Sequence, residues 1–385
     1  MKYNSNLVKV NKDPGHGSHI SPVYMTSTFV FDNAEIGAKR FAGEDPGFMY
    51  SRLGNPNVRE LEEKVAALEF GEGCLAFSSG MAAITGCLLG LLQAGDHVVA
   101  HTALYGATHA FLSKTVKKFG IDVTFAPFKT GEELEPHVTD RTKVIYFETP
   151  SNPTLSLVDM TSVAAVAKQK GVLTVVDNTF LSPYLQNPIR CGIDIVVHSA
   201  TKYLSGHGYL IGGLVISRKD IIDPMRKEVQ KTMGANLAPM DAWLLSQGIR
   251  TLHVRLDRAQ ENAQILAERL ENHKAIERVY FPGLSSFEDK QIMEKQMRGP
   301  GAMISFVLKE GYEAGVTLMN SVNLCTLAVS LGDVGTLIQH PASMTHAIIP
   351  KEEREQAGIH DGLVRFSVGI EDVEDIWNDL ESALG

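Results

Sequence analysis

Short apolar runs rich in β-branched residues alternate with amphipathic segments between about residues 55 and 215. Runs of this length are typical of buried strands, and the segments between them have helical periodicity. The alternation predicts an α/β fold with a mostly parallel sheet and helices on both faces. The predicted strands are Cys74–Phe77, His97–Ala100, Val144–Phe147, Leu173–Val176, Ile193–Val197 and Leu214–Ser217.

The first 45 residues have only weak periodicity. Regular elements there are interrupted by Pro14, Gly15, Gly17 and Pro22. We therefore predict that residues 1–45 form an extended arm, and that this arm contacts a neighbouring subunit.

The pattern changes again towards the C-terminus. An amphipathic segment near 239–272 begins at Pro239 and predicts a long helix that leaves the first domain. Strands at Ala302–Leu308 and Leu363–Val368 and a closing helix near 372–384 are expected after it. We therefore predict a large domain over residues 46–245 and a smaller C-terminal α+β domain over residues 246–385.

Composition and charge exclude several classes of function. The chain has 385 residues, enough for one large core and a second domain. Its net charge of −9 argues against a nucleic-acid partner, because phosphate-backbone binding requires a basic face. The N-terminus is polar and no apolar stretch is long enough to span a membrane, so we expect a cytoplasmic protein with no membrane partner.

The cysteines and histidines do not form a metal-binding pattern. The four cysteines lie far apart and include no C-x-x-C pair, so buried thiols are expected. The histidine pairs lack the helical spacing with a carboxylate that zinc sites use. The sequence therefore predicts no metal site.

Two polar residues that follow predicted strands are candidates for cofactor chemistry, since ligands bind at the carboxyl ends of strands in an open parallel sheet. Asp177 ends one apolar run and Lys202 follows another. A pyridoxal ring needs a carboxylate to keep its pyridine nitrogen protonated and a lysine amine to form a Schiff base. Burial lowers the pKa of a lysine towards the reactive neutral form. A cap for Asp177 and a solvated surface position for Lys202 are the alternatives.

A phosphate site is predicted where Ser79, Gly80 and Met81 join the first strand to an apolar helix. A glycine at a helix start lets backbone N–H groups approach a phosphate, whose charge the helix dipole favours. Ser199 and Thr201 can donate further hydrogen bonds. A plain strand-to-helix turn would have the same pattern.

Tyr105 and Arg365 are candidates for the remaining roles. Tyr105 follows the second predicted strand, where an aromatic ring can stack on the cofactor and a phenol can protonate a leaving group. Arg365 lies on the opposite face of its strand from Val364 and Phe366, and its two-pronged geometry fits a substrate carboxylate. A core or rim position for Tyr105 and an internal salt bridge for Arg365 are the competing explanations.

Motifs along nearly the whole chain resemble those of the PLP-dependent cystathionine/methionine family, where PLP is pyridoxal 5′-phosphate. Five of them, in the family's usual order, are similar to its cofactor-domain signatures: Tyr50–Pro56, Ser79–Met81, Glu148–Pro153, Val176–Thr179 and Ser199–Lys202. Three are similar to its C-terminal signatures: Ser330–Asp333, His340–His346 and Arg365–Gly369.

The resemblance implies a fold-type-I PLP-dependent enzyme, similar to aspartate aminotransferase. It also implies a homotetramer built as a dimer of dimers, with each active site shared across a dimer interface. Tyr50 and Arg52 would then bind the phosphate of the neighbouring subunit's cofactor.

The same resemblance assigns the other site residues. Lys202 would carry the cofactor and move protons, and Tyr105 would stack on the ring and act as an acid. Asn152 would contact the phenolic oxygen of the cofactor, and Asp177 its pyridine nitrogen. Ser79, Gly80, Met81, Ser199 and Thr201 would hold the phosphate, and Ser330 and Arg365 the substrate carboxylate.

Within the family the chain is most similar to the methionine γ-lyases, which implies α,γ-elimination of methionine and related sulfur amino acids such as homocysteine. Val329 stands where cystathionine-cleaving relatives often have a glutamate. Ala107, Tyr209 and the pair Gln230–Lys231 depart from the methionine γ-lyase pattern and leave substrate preference open. The alternatives are a cystathionine γ-lyase or homocysteine desulfhydrase, an O-acylhomoserine sulfhydrylase, and a non-catalytic protein that binds a phosphorylated metabolite.

Overall fold

Two β-sheets form the framework of the protein. The computed structural model describes residues 2–10, 15–348, 350–356 and 358–385. The first sheet contains β1 (Gly73–Phe77), β2 (His97–His101), β3 (Asp122–Ala126), β4 (Thr142–Glu148), β5 (Leu173–Asp177), β6 (Ile195–Ser199) and β7 (Gly213–Ser217). The second contains β8 (Ile276–Tyr280), β9 (Met303–Leu308), β10 (Thr326–Leu327), β11 (Leu337–Gln339) and β12 (Leu363–Ser367).

The first sheet has the strand order β1-β7-β6-β5-β4-β2-β3. Its pairs are parallel except those of β7, which runs antiparallel to both β1 and β6. The prediction of a mostly parallel sheet is therefore confirmed. The sequence missed β3, an edge strand whose burial is only partial and whose apolar signal is correspondingly weak.

Helices cover both faces of this sheet, as predicted. The helices of the chain are α1 (Tyr3–Val8), α2 (Ala34–Ala42), α3 (Pro56–Glu69), α4 (Gly80–Leu91), α5 (Gly106–Ala110), α6 (Gly131–Leu134), α7 (Met160–Lys170), α8 (Ser182–Leu185), α9 (Lys219–Met225), α10 (Lys231–Met233), α11 (Pro239–Arg250), α12 (Leu252–Glu271), α13 (Lys290–Gln296), α14 (Gly311–Ser321), α15 (Lys351–Gln356) and α16 (Val373–Leu384).

Adjacent strand residues on β6 show how the two faces are filled. Val197 packs in the cluster that contains Ile84 and Cys87 of α4. Val196, one residue earlier, packs in the cluster that contains Val58 of α3. Because successive strand side chains point to opposite faces, α4 and α3 lie on opposite sides of the sheet.

The second sheet is smaller and mixed, with the order β10-β11-β12-β9-β8. Only β10 and β11 pair in parallel. Helices α12, α14 and α16 pack beside it, and its inner residues Phe306 and Phe366 belong to the same apolar cluster as the α3 face of the first sheet. Among the described helices none is both long and apolar enough to cross a membrane.

Two expectations about local structure were wrong. The first 45 residues contain α1 and α2, so the arm is not extended throughout; Pro14 lies outside the described residues. Helix α1 is stabilised by tertiary contacts of the fully buried Leu7, which the weak local periodicity does not reveal. Helix α2 has a side-chain cap at Asn33 and ends at Gly43 in the left-handed conformation.

The segment near 239–272 is two helices rather than one. Helices α11 and α12 meet at Thr251, where the backbone leaves helical geometry. The predicted domain boundary after residue 245 falls inside α11, between the last strand of the first sheet and the first strand of the second. The division into arm, large domain and small domain stays a prediction.

Candidate active site

A cavity of about 260 Å³ opens at the carboxyl ends of β4, β5 and β6, beside the start of α4. Residues from both sheets line it, because β12 of the second sheet contributes an arginine. The lining residues are Ser79, Gly80, Met81, Ile84, Tyr105, Glu148, Pro150, Asn152, Asp177, Thr179, Phe180, Ser199, Thr201, Lys202, Ile211, Val329, Leu331 and Arg365. Ten of the residues predicted from the sequence are among them.

Lys202 lies in the turn that follows β6. Its Nζ donates a hydrogen bond to the Ser330 hydroxyl at 2.9 Å, so Ser330 also belongs to the site. Burial, together with the positive charge of Arg365, lowers the pKa of Lys202 to about 8. An amine with this pKa is neutral in a sizeable fraction of molecules near neutral pH, as a nucleophile or base must be.

Asp177 is the last residue of β5, and its carboxylate faces the cavity. One oxygen, Oδ1, accepts hydrogen bonds from both the backbone N–H and the hydroxyl of Thr179. The Thr179 hydroxyl in turn accepts the backbone N–H of Ser199 at 2.8 Å. Burial raises the pKa of Asp177, and the two Thr179 hydrogen bonds act in the opposite direction. Within the described part of the chain no hydrogen bond reaches Oδ2, which leaves that oxygen available to a ligand.

A tight cradle forms where α4 begins. The Ser79 side chain caps the helix by accepting the backbone N–H of Ala82 at 3.0 Å. The first N–H groups of a helix have no partner within it and point outward. A Cβ on Gly80 would lie 2.8 Å from Cβ of Ser199, so only glycine lets this turn approach the Ser199 strand end so closely. The arrangement suits an anion such as a phosphate.

Arg365 is buried, with 6% of its surface exposed. Its guanidinium donates to the Asn152 side-chain oxygen at 3.3 Å and to the carbonyl oxygens of Val329 and Ser330 at 3.3 and 2.9 Å. These acceptors are all neutral, and no ion pair to Arg365 occurs among the described residues. Burial lowers its pKa to about 10, a value at which the side chain is still charged. A buried guanidinium without a carboxylate is suited to an anionic ligand.

Tyr105 stands at the mouth of the cavity with half of its surface exposed. Its backbone N–H donates to Oε1 of Glu148 at 2.8 Å, immediately before α5 begins. Glu148 begins the Glu148–Pro153 motif, but the family resemblance assigned it no role. The rule that identified Asp177 would have identified Glu148, which ends β4 in the same way.

Glu148 and Asp177 lie directly opposite each other in the register of β4 and β5. Both carboxyl groups line the cavity. Burial raises the pKa of Glu148 strongly, and the negative charge of Asp177 raises it further. The cavity floor therefore contains two acids in a setting that favours only one negative charge.

Tyr50 and Arg52 do not line the cavity. Both are exposed, and the Arg52 guanidinium lies 5.6 Å from the centre of the Tyr50 ring and donates to the Lys231 carbonyl oxygen. Arg52 lines a separate groove beside α3 and α9. Their predicted role at a neighbouring subunit's cofactor stays a prediction.

The structure shows the contacts of Tyr209 and Gln230, two of the residues that depart from the methionine γ-lyase pattern. The Tyr209 hydroxyl donates to the Leu244 carbonyl oxygen at 3.2 Å, and its ring stacks on His207. Gln230 is buried and donates to the Ala76 carbonyl oxygen at 2.9 Å. Neither residue lines the cavity, so these contacts are structural.

Comparison with known proteins identifies the family. The family model described as "Cys/Met metabolism PLP-dependent enzyme" matches residues 5–385. A protein of Fusobacterium nucleatum subsp. nucleatum named L-methionine gamma-lyase is 51% identical over 371 residues, which are 96% of this chain and 94% of that protein. A Bacillus subtilis protein named cystathionine gamma-lyase is 44% identical over 97% of this chain and 96% of its own length.

The fold has a close counterpart among solved structures. The crystal structure of metB from Corynebacterium glutamicum matches with a TM-score of 0.93 at 36% sequence identity. The match covers 100% of this chain and 98% of that one. The fold-type-I architecture expected from the sequence is therefore confirmed.

Proposed function

This chain belongs to the family of Cys/Met metabolism PLP-dependent enzymes, and from that premise we propose that it is a carbon–sulfur lyase that degrades L-methionine by α,γ-elimination. The products are methanethiol, 2-oxobutanoate and ammonia. The observation that carries the proposal is the convergence of Lys202, Asp177 and Arg365 on one cavity. The choice of methionine rests on the 51% identity to a protein named L-methionine gamma-lyase.

The residues around the cavity fit PLP at both ends of the molecule. The Gly80 cradle, with Ser79, Met81, Ser199 and Thr201 beside it, would hold the phosphate. Oδ2 of Asp177 is available for the protonated pyridine nitrogen, Asn152 would contact the phenolic oxygen, and Tyr105 would stack on the ring. When bound, PLP draws electrons from the substrate carbon that has lost a proton.

Arg365 and Ser330 would bind the substrate carboxylate. The guanidinium is already held by Asn152 and two carbonyl oxygens, so its orientation is fixed before a substrate arrives. A carboxylate in the cavity would supply the negative charge that these neutral acceptors lack. The α-amino group of the substrate is thereby directed towards Lys202.

Lys202 would attach the cofactor and then move protons. At a pKa of about 8 roughly a quarter of free Lys202 amines are neutral at pH 7.5, compared with about a thousandth at the unshifted value of 10.5. With the substrate in place, the free Nζ amine would accept the proton from Cα, give it up again, and then, neutral once more, accept a proton from Cβ. The Tyr105 phenol donates the proton that the departing thiolate needs.

The finer statements about assembly and location are also part of this proposal. We expect a homotetramer in which Tyr50 and Arg52 complete the neighbouring subunit's phosphate site, and a cytoplasmic location. Light scattering of the purified protein gives the subunit number. An Arg52→Ala variant with undiminished PLP affinity would contradict the proposed role of Arg52.

The test is product analysis. PLP-saturated protein is incubated separately with L-methionine, homocysteine, cystathionine, cysteine and an O-acylhomoserine with sulfide, and 2-oxobutanoate and thiol are quantified. We expect strong release from methionine and none in Lys202→Ala. Fast cleavage of cystathionine with negligible release from methionine would refute the proposed substrate, and formation of homocysteine from O-acylhomoserine would identify a sulfhydrylase.

A further inference from the structure

The paired carboxyls on the cavity floor are not explained by cofactor binding alone. Oδ1 of Asp177 accepts two hydrogen bonds from Thr179, whereas the only hydrogen bond to the Glu148 carboxyl group among the described residues comes from the Tyr105 backbone. Glu148 is buried with 6% of its surface exposed. The site therefore contains an acid for which the proposed reaction has no direct use.

Simple electrostatics decide which of the two acids carries the charge. The residues are opposite each other on neighbouring parallel strands, whose backbones lie about 4.8 Å apart. Two carboxylates on facing residues of neighbouring strands repel each other in a water-poor setting, and burial together with the charge of Asp177 raises the pKa of Glu148, so one acid keeps its proton. The Thr179 hydroxyl and N–H stabilise the charged form of Asp177, while Glu148 receives a single amide donor.

The other ionisable groups around the cavity do not reverse this order. Lys202 donates to Ser330, and Arg365 donates to Asn152 and two carbonyl oxygens, so neither cation is bonded to Glu148. The Tyr146 phenol also faces the pair, and burial together with the charges of Asp177 and Glu148 raises its pKa, so it is neutral at physiological pH. Glu148 thus has no cationic partner in the described part of the chain.

We propose that Glu148 is a positioning residue that stays protonated and, through the Tyr105 backbone N–H, fixes Tyr105 at the mouth of the cavity while Asp177 alone carries the negative charge. The inference rests on the proposed function, because Tyr105 matters as a ring-stacking residue and acid. The backbone bond matters because the Tyr105 side chain is half exposed and makes no hydrogen bond among the described residues.

Glu148→Gln and Glu148→Leu separate charge from hydrogen bonding. Glutamine keeps a neutral acceptor at the same place, whereas leucine of similar size removes it and leaves the Tyr105 N–H unpaired. We expect E148L to lower kcat/KM for methionine by about 10- to 100-fold, the range of one lost buried hydrogen bond. E148Q should recover most of this loss and remain within about 5-fold of the wild type.

The dissociation constant for PLP, measured by equilibrium dialysis of the full-length protein, distinguishes the two acids without relying on activity. E148Q should shift this constant by less than about 3-fold, whereas Asp177→Asn should weaken binding by about 10- to 100-fold. Glu63→Gln, at an exposed position on α3, is the control for an ordinary loss of a carboxylate. An E148Q protein that binds PLP as weakly as D177N would overturn the proposal.

A double-mutant cycle with Tyr105→Ala, which removes both the ring and the phenol, tests whether Glu148 acts through Tyr105. If it does, E148L should reduce kcat/KM much less in the Y105A background than in the wild type. Fully additive losses would overturn the positioning role. Failure of the wild-type protein to bind PLP, or to act on any sulfur amino acid, would instead refute the proposed function, so the two failures are distinguishable.

Discussion

The buried acid pair predicts a pH dependence of stability that Glu148→Gln should remove. Burial and the neighbouring Asp177 raise the pKa of Glu148 above its ordinary value of 4.5. At a pH between the ordinary pKa of Glu148 and its raised pKa in the folded chain, the folded chain holds a proton that the unfolded chain has released. Stability therefore falls as pH rises above 4.5, because the folded state binds more protons than the unfolded state.

The size of the effect follows from the number of protons. For each pH unit over which the folded pair keeps one proton that the unfolded chain has released, the free energy of unfolding falls by about 1.4 kcal/mol. In E148Q this uptake is absent, since Asp177 remains ionised with its two Thr179 donors. As pH rises, the free energy of unfolding of E148Q should therefore increase relative to that of the wild type by about 1.4 kcal/mol for each such pH unit.

Urea unfolding of the cofactor-free, full-length chain at pH 6, 7 and 8 measures the difference. Glu63→Gln serves as the control, since the exposed Glu63 side chain lies in solvent and its removal should leave the wild-type slope unchanged. Parallel pH dependences for E148Q and wild type would refute the reasoning. That result would mean that Glu148 is ionised in the folded chain.

Three further predictions concern the anion sites and the buried network behind the sheet. Arg365→Gln should raise KM for methionine by about 10- to 100-fold in steady-state kinetics, because the neutral Asn152 and carbonyl acceptors cannot replace its charge. An unchanged KM would contradict the proposal that Arg365 binds the substrate carboxylate. Gly80→Ala should weaken PLP binding by at least about 10-fold in a titration, since its Cβ would collide with Ser199. The control Gly335→Ala, whose added Cβ would have its nearest contact at 3.9 Å, should leave PLP binding unchanged. Equal PLP affinities of the two variants would refute the proposal that the Gly80 turn holds the phosphate. Glu69→Leu should lower the free energy of unfolding by about 3 kcal/mol, because the buried His198 and Asn178 side chains lose the carboxylate that bonds them at 2.6 and 2.8 Å. The control Glu288→Gln, which breaks a surface ion pair with Arg278, should lower the free energy of unfolding by less than about 1 kcal/mol.

Residues at the ends of strands were the part of the site that the sequence could predict. Asp177 and Lys202 follow apolar runs that are recognisable without a structure, and a single rule places both at one sheet edge. Glu148 obeys the same rule but has no obvious cofactor role, so its interaction with Asp177 became visible only through the register of β4 and β5. Register is a tertiary property, and the sequence of either strand alone does not fix it.

Elements stabilised by distant contacts were the part of the fold that the sequence could not predict. Helix α1 has six residues, too few for an isolated helix, and it depends on Leu7 packing against α3 and α11. The break at Thr251 leaves the apolar periodicity on both sides intact, so the pattern resembles one long helix. In both places the local pattern is compatible with more than one structure, and packing selects one.

The Lys202–Ser330 hydrogen bond links the chemistry to the packing of the two sheets. Lys202 follows β6 of the first sheet, whereas Ser330 lies between β10 and β11 of the second, and Arg365 lies on β12. The lowered pKa of Lys202 arises from burial and from Arg365, so part of its reactivity comes from the second sheet. A shift of the second sheet by one or two ångströms would lengthen this hydrogen bond and admit water, and both the amine's pKa and the position of the carboxylate site would change together. With the roles proposed for these residues, we expect substrate binding and proton transfer to be coupled through a single packed interface rather than through separate parts of the chain.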